Sequence, residues 1–272
     1  MVLDYDDTTE TIVMTQRMLA INDWIGQADL VVDEAVSDAA GRHPVSENRH
    51  LRRLFAEGRF DRGGRLYGGF WQDLGKTMRS GPAIRIGGED SVELDLADTA
   101  PRILYGMVGV EPRWNDAYAV PHYGHCRDGI KKIFAALLFA KGRLTRMPPG
   151  AAKLFPPVLD FPARTDKDAG WQRRAEARQI AEISRCIASH HKPVKHLFCT
   201  GIGPAVEYRE SEILIEILLR LKARRIVALP IHDSVLVAQS ALPAAACVMA
   251  ETFREMAGVP AAVTVKGEAP AS

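Results

Sequence analysis

The chain has 272 residues, 47% of them hydrophobic and 25% charged, with a formal net charge of +1 at pH 7. This balance is ordinary for a globular protein and lacks the basic excess of many nucleic-acid-binding domains. No apolar run approaches the roughly 20 residues of a membrane span, the acidic start MVLDYDDTTE does not have the layout of a signal peptide, and the four cysteines form no C-x-x-C pair. We therefore expect a cytoplasmic chain with no membrane partner, disulfide framework or zinc knuckle.

The N-terminal segment, residues 1–60, is predicted to be helical. Apolar residues recur at helical spacing between residues 8 and 36, and a second helix is predicted over residues 46–58, where Ser46 can cap and the apolar residues share one face. Nothing in this segment indicates chemistry by itself.

Basic residues cluster between residues 41 and 80, where nine Lys or Arg accompany four acids. Within this stretch, FDRGGRLYGGFWQDLGKTMR over residues 60–79 combines glycines, aromatic rings and cations, which predicts a loop whose backbone approaches a partner closely. Arg65 and Tyr67 would then supply phosphate contact and stacking on bases. Two alternatives stay open: the basic cluster is a solvated face, and the aromatic rings pack into the core.

A β-hairpin is predicted over residues 83–96, AIRIGGEDSVELDL, with its turn at Gly87-Gly88. Its second strand ends at Asp95, and a helical segment that carries Arg102 follows from residue 99 to residue 107. The hairpin therefore places a carboxylate at the end of a short buried strand.

A helix is predicted from Arg127 onward, RDGIKKIFAALLF, in which Arg127, Lys131 and Phe139 share one face. Two cations followed by an aromatic ring can hold a triphosphate and stack on a base or sugar. The alternative is an amphipathic helix with a solvated basic edge. Residues 143–170 are irregular and rich in proline, and residues 171–191 are predicted to be a charged helix.

A second hairpin is predicted in IVALPIHDSVLVA, residues 226–238, because two short apolar runs flank His232, Asp233 and Ser234. Asp233 is then a second acid at a strand tip, able to converge with Asp95 on an adjacent strand. Such a pair typically holds two Mg²⁺ ions about 3.5–4 Å apart, and the backbone carbonyl of Leu96 could complete the shell. The alternative is an Asx-type turn in which Asp233 bonds its own backbone.

In its order of segments the chain resembles the single-subunit right-hand polymerases, which comprise family A DNA polymerases and the phage-type and mitochondrial RNA polymerases. The motifs that carry the resemblance are GRLY at residues 64–67, similar to the template-primer motif; DLADTAPR at residues 95–102, similar to motif A; Asp116-Ala117-Tyr118, similar to the element before the fingers; Arg127-x3-Lys131-x7-Phe139, similar to motif B; and His232-Asp233-Ser234, similar to motif C.

The resemblance implies an α+β fold, a right-hand palm made of an antiparallel sheet with flanking helices, plus a helical fingers insertion. Residues 1–60 would form a reduced thumb-like segment, residues 61–110 and 200–272 the palm, and residues 111–199 the fingers. The implied activity is template-directed nucleotidyl transfer by a DNA or RNA polymerase or a primer-synthesising enzyme. Its partners would be a template-primer, nucleoside triphosphates and replication proteins.

The resemblance also implies a role for each matched residue. Asp95 and Asp233, with the backbone of Leu96, would bind two Mg²⁺ ions, for which Mn²⁺ can substitute; Lys131 and Arg127 would grip the triphosphate, His232 would reach the primer end, and Arg65, Tyr67 and Arg102 would contact nucleic acid. An inactive palm module that only binds nucleic acid is the alternative. A metal-dependent nuclease or phosphatase would leave Arg127 and Lys131 without a role.

Three positions depart from the DNA polymerase pattern. Motif B ends in Phe139-Ala140 where the family has Tyr-Gly, and Ala100 stands where DNA polymerases carry a bulky Glu. Motif C ends in Ser234, as in the RNA polymerase branch. These differences imply relaxed selection between ribose and deoxyribose.

Overall fold

A computed structural model of the chain describes residues 4–33, 48–75, 81–156 and 169–266. The chain divides into two compact units. Unit 1 comprises Met1–Met107 and Ala205–Ser272, and unit 2 comprises Val108–Pro204.

The described residues form six α-helices and eight β-strands. The helices are α1 (Thr9–Gly26), α2 (Thr99–Met107), α3 (Arg127–Phe139), α4 (Ala169–His190), α5 (Gly203–Ala223) and α6 (Leu242–Ala257). The strands are β1 (Leu30–Val32), β2 (Arg52–Phe55), β3 (Gly63–Tyr67), β4 (Gly81–Ile86), β5 (Glu89–Leu96), β6 (Ala228–Ile231), β7 (Ser234–Ala238) and β8 (Val263–Val265).

An antiparallel sheet of six strands forms the centre of unit 1. Five strands follow the order β1-β4-β5-β7-β6, and β8 pairs with the last residues of β5. Strand β5 therefore has neighbours along both edges, and its carboxyl end meets β7 on one side and β8 on the other. The mixed α/β architecture with an antiparallel sheet, expected from the sequence, is confirmed.

Both predicted hairpins of this sheet are present. Strands β4 and β5 turn at Gly87 and Gly88, whose φ angles of 60° and 81° lie in the left-handed region that glycine adopts readily. Strands β6 and β7 pair from Ala228↔Val237 to Ile231↔Ser234, which leaves a two-residue turn. All four residues of β6 are buried, as its continuous apolar run predicts.

The prediction that residues 1–60 are helical is wrong in part. Helix α1 ends at Gly26, and β1 joins the central sheet beside β4. The helix predicted over residues 46–58 is instead strand β2, paired with β3 from a segment predicted to be a loop. The apolar residues of such short segments fit both the helical and the strand period. Pairing with a strand elsewhere in the chain then overrides the local preference for a helix.

Within the basic and aromatic stretch, some of the predicted contact residues are buried and others are exposed. Arg42, Lys76 and Arg79 lie outside the described residues, whereas the side chain of Arg53 is only 4% exposed and is bonded to Glu212 at 2.6 Å. Phe70 and Trp71 are buried in unit 1, and the Trp71 indole donates to the carbonyl oxygen of Pro230 at 2.9 Å. For these two rings the core interpretation is correct. Tyr67, in contrast, keeps 39% of its surface exposed.

Unit 2 contains α3 and α4, both at the predicted places. The apolar face of α3 is buried (Ile130, Ile133, Phe134, Leu137 and Leu138). His191, just after α4, is fully buried against Phe134 and bonds the carbonyl oxygen of Ala117 through Nε2 at 2.8 Å. Burial lowers its pKa to about 4, so this imidazole is neutral and structural. In the part of the chain that the structure describes, no helix is both long and apolar enough to cross a bilayer.

Candidate active site

The structure places Asp95 near the end of β5 and Asp233 in the turn that precedes the neighbouring strand, β7. In the register of β5 and β7, Asp95 lies opposite Ser234, the residue after Asp233. The backbone N–H of Leu96 donates to the carbonyl oxygen of Asp233 at 3.2 Å. Both acids are half-buried, so their carboxylates remain within reach of solvent.

Thr99, at the start of α2, lies between the backbone that follows Asp95 and the carboxylate of Asp233. Its hydroxyl donates to the carbonyl oxygen of Leu96 at 2.6 Å and lies 3.5 Å from Oδ2 of Asp233. The hydroxyl is buried, and it fixes the Leu96 carbonyl close to the second acid. The sequence gives no separate signal for Thr99, because its role depends on where the turn of the second hairpin lies.

Lys266 is a second residue of this site that sequence reasoning missed. Its ammonium lies 3.0 Å from Oδ1 of Asp95, 3.2 Å from the Ser234 hydroxyl and in direct contact with Glu93. The backbone fixes this position, because the N–H of Lys266 donates to the carbonyl oxygen of Glu93 at 2.9 Å. Lys266 is therefore held beside β5 by strand pairing.

The buried carboxylate of Glu93 explains the need for a cation here. Glu93 is only 2% exposed and accepts a hydrogen bond from Ser234 at 2.6 Å. A carboxylate buried to this degree requires a charged partner. Burial lowers the pKa of Lys266, but Glu93 and Asp95 outweigh it and hold that pKa above its usual value. Lys266 thus stays charged between two acids.

The donors around Asp95 and Asp233 fit magnesium only in part. Two carboxylates and the Leu96 carbonyl are the oxygen ligands that Mg²⁺ prefers, and Mg²⁺ is commonly held by one or two carboxylates plus substrate phosphates and water. Among residues 4–33, 48–75, 81–156 and 169–266, however, no group of three or more His, Cys, Asp or Glu side chains is arranged to hold a metal ion. The described residues therefore supply only part of the shell that a magnesium ion requires.

His232 and Tyr67 form an exposed aromatic edge beside Asp233. His232 is the first residue of the turn between β6 and β7, with φ of 55°, a left-handed value that non-glycine residues adopt uncommonly. Its ring meets the ring of Tyr67 edge to face, with centroids 6.1 Å apart. Strained backbone of this kind is often found at functional sites.

Arg65 is already paired in the free protein. Its guanidinium donates to both carboxylate oxygens of Glu210, at 3.1 and 3.3 Å, and lies 2.8 Å from Glu207. Glu210 is buried, and burial, helped by the nearby charge of Asp233, raises its pKa to about 7 despite the neighbouring Arg65. Any contact of Arg65 with nucleic acid would thus be made by an arginine that two acids hold in place.

The described contacts of Arg102 are structural. Its guanidinium is 8% exposed and donates to the carbonyl oxygens of Ala97, at 3.3 Å, and Pro260, at 2.9 Å. It therefore ties α2 to the segment that precedes β8, and it offers little surface to a nucleic acid. Ala100, two residues earlier, is half-buried in the first turn of α2.

In unit 2, Arg127, Lys131 and Phe139 lie on one exposed face of α3, as the sequence predicts. Arg127 donates to Asp116 at 2.6 Å, and its guanidinium lies 5.3 Å from the ring centre of Tyr118. The Lys131 ammonium lies 5.8 Å from the same ring. Tyr118 and Asp116, from the DAY element, thus position both cations.

Phe139 ends this face and is 47% exposed. Its ring packs against the backbone of Gly203, where an added Cβ would lie 2.8 Å from the ring. The close approach explains a glycine at the start of α5.

No protein-family model matches the chain, and no curated protein matches it. Among solved structures, it is similar to the POL domain of Pol1 from M. smegmatis, solved with a DNA primer-template and dNTP, with a TM-score of 0.40 and 13% sequence identity. The match covers 94% of this chain and 50% of that chain, so the chain spans half the length of this structural neighbour. The likeness is too distant to assign functional residues.

Proposed function

We propose that the chain is a template-directed nucleotidyltransferase, a nucleic-acid polymerase or primer-synthesising enzyme. The observation that supports this proposal is the pairing of β5 with β7. It brings Asp95 beside Asp233, the two acids that the sequence motifs single out, through the bond from the Leu96 N–H to the Asp233 carbonyl. Acids at neighbouring strand ends are suited to phosphoryl transfer, where catalysis is mostly positioning and electrostatics.

In the proposed reaction, the 3′-hydroxyl oxygen of a primer attacks the α-phosphorus of a nucleoside triphosphate. The hydroxyl gives its proton to solvent water, an oxygen–phosphorus bond forms, and the bond between the α-phosphorus and the leaving pyrophosphate breaks. Asp95 and Asp233, with the Leu96 carbonyl, would hold Mg²⁺ together with the triphosphate. When bound, Mg²⁺ polarises phosphate oxygens and neutralises the developing charge; we propose two ions, with Mn²⁺ able to substitute.

The remaining roles follow from position and charge within each unit. The exposed edge of His232 and Tyr67, next to Asp233, would contact the primer end, and Arg65 would contact the duplex. In unit 2, Arg127 and Lys131 are proposed to neutralise the triphosphate, with Phe139 stacking on the nucleotide. We leave Arg102 out of the nucleic-acid surface because its guanidinium is buried and bonded to backbone carbonyls.

One observation favours a second candidate function. The Lys266 ammonium lies 3.0 Å from Oδ1 of Asp95, where its charge would compete with a metal ion. A palm module that binds nucleic acid without catalysis would keep this ion pair permanently. The enzyme and the inactive module differ in one property: only the enzyme would exchange the contact between Lys266 and Asp95 for a metal ion.

Replacing Lys266 by Met is therefore expected to tighten Mn²⁺ binding by the free protein. Without the ammonium, Asp95 is left uncompensated and attracts a divalent cation more strongly, by about 5- to 150-fold if the coupling is of the usual 1–3 kcal/mol. Mn²⁺ titration followed by electron paramagnetic resonance measures this, and Lys266→Arg, which keeps the charge, serves as the matched control. Equal affinities in the wild type and Lys266→Met would contradict competition at Asp95.

Sugar selection is predicted to depend on Ala100. Ala100→Glu is expected to lower ribonucleotide use relative to deoxyribonucleotide use by at least about tenfold, the scale of one group that fills a pocket. The measurement is the ratio of kcat/KM for each nucleotide pair, with Ala97→Glu as a control at a nearby half-buried position. An unchanged ratio in Ala100→Glu would remove this residue from sugar selection.

The proposed function itself is tested by primer extension on four templates that differ in the first unpaired base. Each template is expected to direct incorporation of its complementary nucleotide in Mg²⁺ or Mn²⁺, from the dNTP pool, the NTP pool or both. Binding of the primer-template without extension would favour the inactive module. Incorporation that ignores the template base would contradict a template-directed enzyme.

A further inference from the structure

A groove rich in arginine lies within unit 2, on residues that carry none of the proposed catalytic roles. It has a volume of about 670 Å³ and lies between α4 and the segment that follows α3. Arg174, Arg178 and Arg185 come from α4, and Arg143 comes from the other wall. The floor is formed by small side chains, Ala177 and Ala181, among others.

Helical geometry explains why the arginines form a stripe. Positions 174, 178 and 185 are separated by four and seven residues, so they return to the same face of α4. All four arginines of the groove are exposed. Between Arg174 and Arg185 the helix rises about 16 Å, so the stripe is far longer than one phosphate group.

Positive charge predominates among the described lining residues of the groove. Four arginines line it, with Glu182 as the acid among the described lining residues. No salt bridge joins any of these four arginines to another residue in the described ranges, whereas Arg17, Arg53 and Arg65 in unit 1 all pair with glutamates. Like charges four residues apart, as in Arg174 and Arg178, destabilise a helix. A stripe of this kind is stabilised when an anion is bound.

We infer that this groove binds the phosphate backbone of a single nucleic-acid strand. Arginine is suited to phosphate because its planar guanidinium donates two parallel hydrogen bonds. Successive phosphates along a strand match a stripe about 16 Å long, whereas a free phosphate would engage only part of it. No aromatic ring is found among the described lining residues, so the strand is bound through its phosphates, without base preference. The choice of nucleic acid as the polyanion rests on the proposed function.

The test is binding of a fluorescent single-stranded 12-mer of mixed sequence, measured by anisotropy in EDTA without nucleotides over a series of salt concentrations. The double variant Arg174→Ala/Arg178→Ala is expected to bind at least about tenfold more weakly at 50 mM salt. Its plot of log K against log salt should become shallower by about 1.4, because each of the two phosphates that the variant no longer neutralises accounts for about 0.7 of the slope on a single strand. Arg174→Lys/Arg178→Lys is expected to keep most of that slope.

The matched control is Arg85→Ala/Arg224→Ala, which removes two exposed arginines of unit 1, each near a single acid. Its salt slope should equal that of the wild type. The inference is overturned if the wild type does not bind the strand, or if the groove variant and the control behave alike. The binding assay contains no metal or nucleotides, so its result is independent of primer extension. If the protein binds the strand through the groove but extends no primer, the proposed function is refuted and the groove inference stands. If the protein extends primers but the groove variant binds the strand as the wild type does, the groove inference is refuted and the proposed function stands.

Discussion

Asp233→Asn is expected to lower the rate of nucleotide incorporation by about 10²–10³-fold or more, the scale seen when one preorganised electrostatic partner is removed. The substitution keeps the shape of the side chain and removes the charge that would hold a divalent ion. Asp95→Asn should act in the same direction. Thr99 and the backbone of Leu96 hold the site in place in these variants. If the loss of activity were caused by a structural change, the variants would therefore lose folding as well.

Asp90→Asn is the matched control for both variants. Asp90 lies on the same strand, β5, but is exposed and only 3.4 Å from the exposed Arg85. Single-turnover incorporation should therefore be close to the wild-type value. If Asp233→Asn kept the activity of Asp90→Asn, the catalytic assignment of Asp233 would be wrong.

Arg65→Met is expected to lower the free energy of unfolding by about 3–5 kcal/mol at pH 8, the usual cost of removing one partner of a buried ion pair. Arg65 holds the carboxylate of Glu210 through two hydrogen bonds, and Glu210 is only 6% exposed. Glu207 remains nearby but is itself an acid. The loss should be measurable by urea unfolding of the free protein.

The destabilisation is expected to depend on pH. Burial raises the pKa of Glu210 to about 7 in the folded protein, above its ordinary value of 4.5. The folded state therefore binds this proton more tightly than the unfolded state, so the contribution of Glu210 to stability falls as the pH rises from 4.5 to 7. Without Arg65 the pKa rises further, so the variant should lose less stability at pH 6 than at pH 8.

Glu210→Gln provides the control for this pair. It removes the titrating group, so the stability difference between pH 6 and pH 8 should shrink. Added to Arg65→Met, it should recover part of the lost stability, because no buried charge is left without a partner. Equal destabilisation by Arg65→Met at both pH values would contradict the role of Glu210.

Local patterns in the sequence predict much of the fold. Gly87-Gly88 between apolar strands, the helix that starts at Arg127, and the paired runs around His232 each carry their signal within a few residues. The strand β2 could not be predicted in the same way. Its formation depends on pairing with β3, and the apolar residues of this segment fit a helix equally well.

The residues of the candidate site likewise differ in whether a local sequence pattern predicts them. Motif spacing selects Asp95 and Asp233, and the register of β5 with β7 explains why the two residues lie near each other in the sheet. Lys266 carries no such signal, because its partner Glu93 is 173 residues away in the sequence and only the pairing of β8 with β5 brings them together. The pairing of Arg65 with Glu210, across 145 residues, is likewise a product of tertiary packing.

Asp95 and Asp233 are proposed to form one site for a divalent ion and a triphosphate. This site can be tested by Mn²⁺ titration followed by electron paramagnetic resonance, with and without a non-hydrolysable triphosphate. The wild type and Asp90→Asn should bind Mn²⁺ more tightly when the triphosphate is present, and Asp95→Asn and Asp233→Asn should each lose that gain. Unchanged Mn²⁺ binding in both of these variants would contradict the claim.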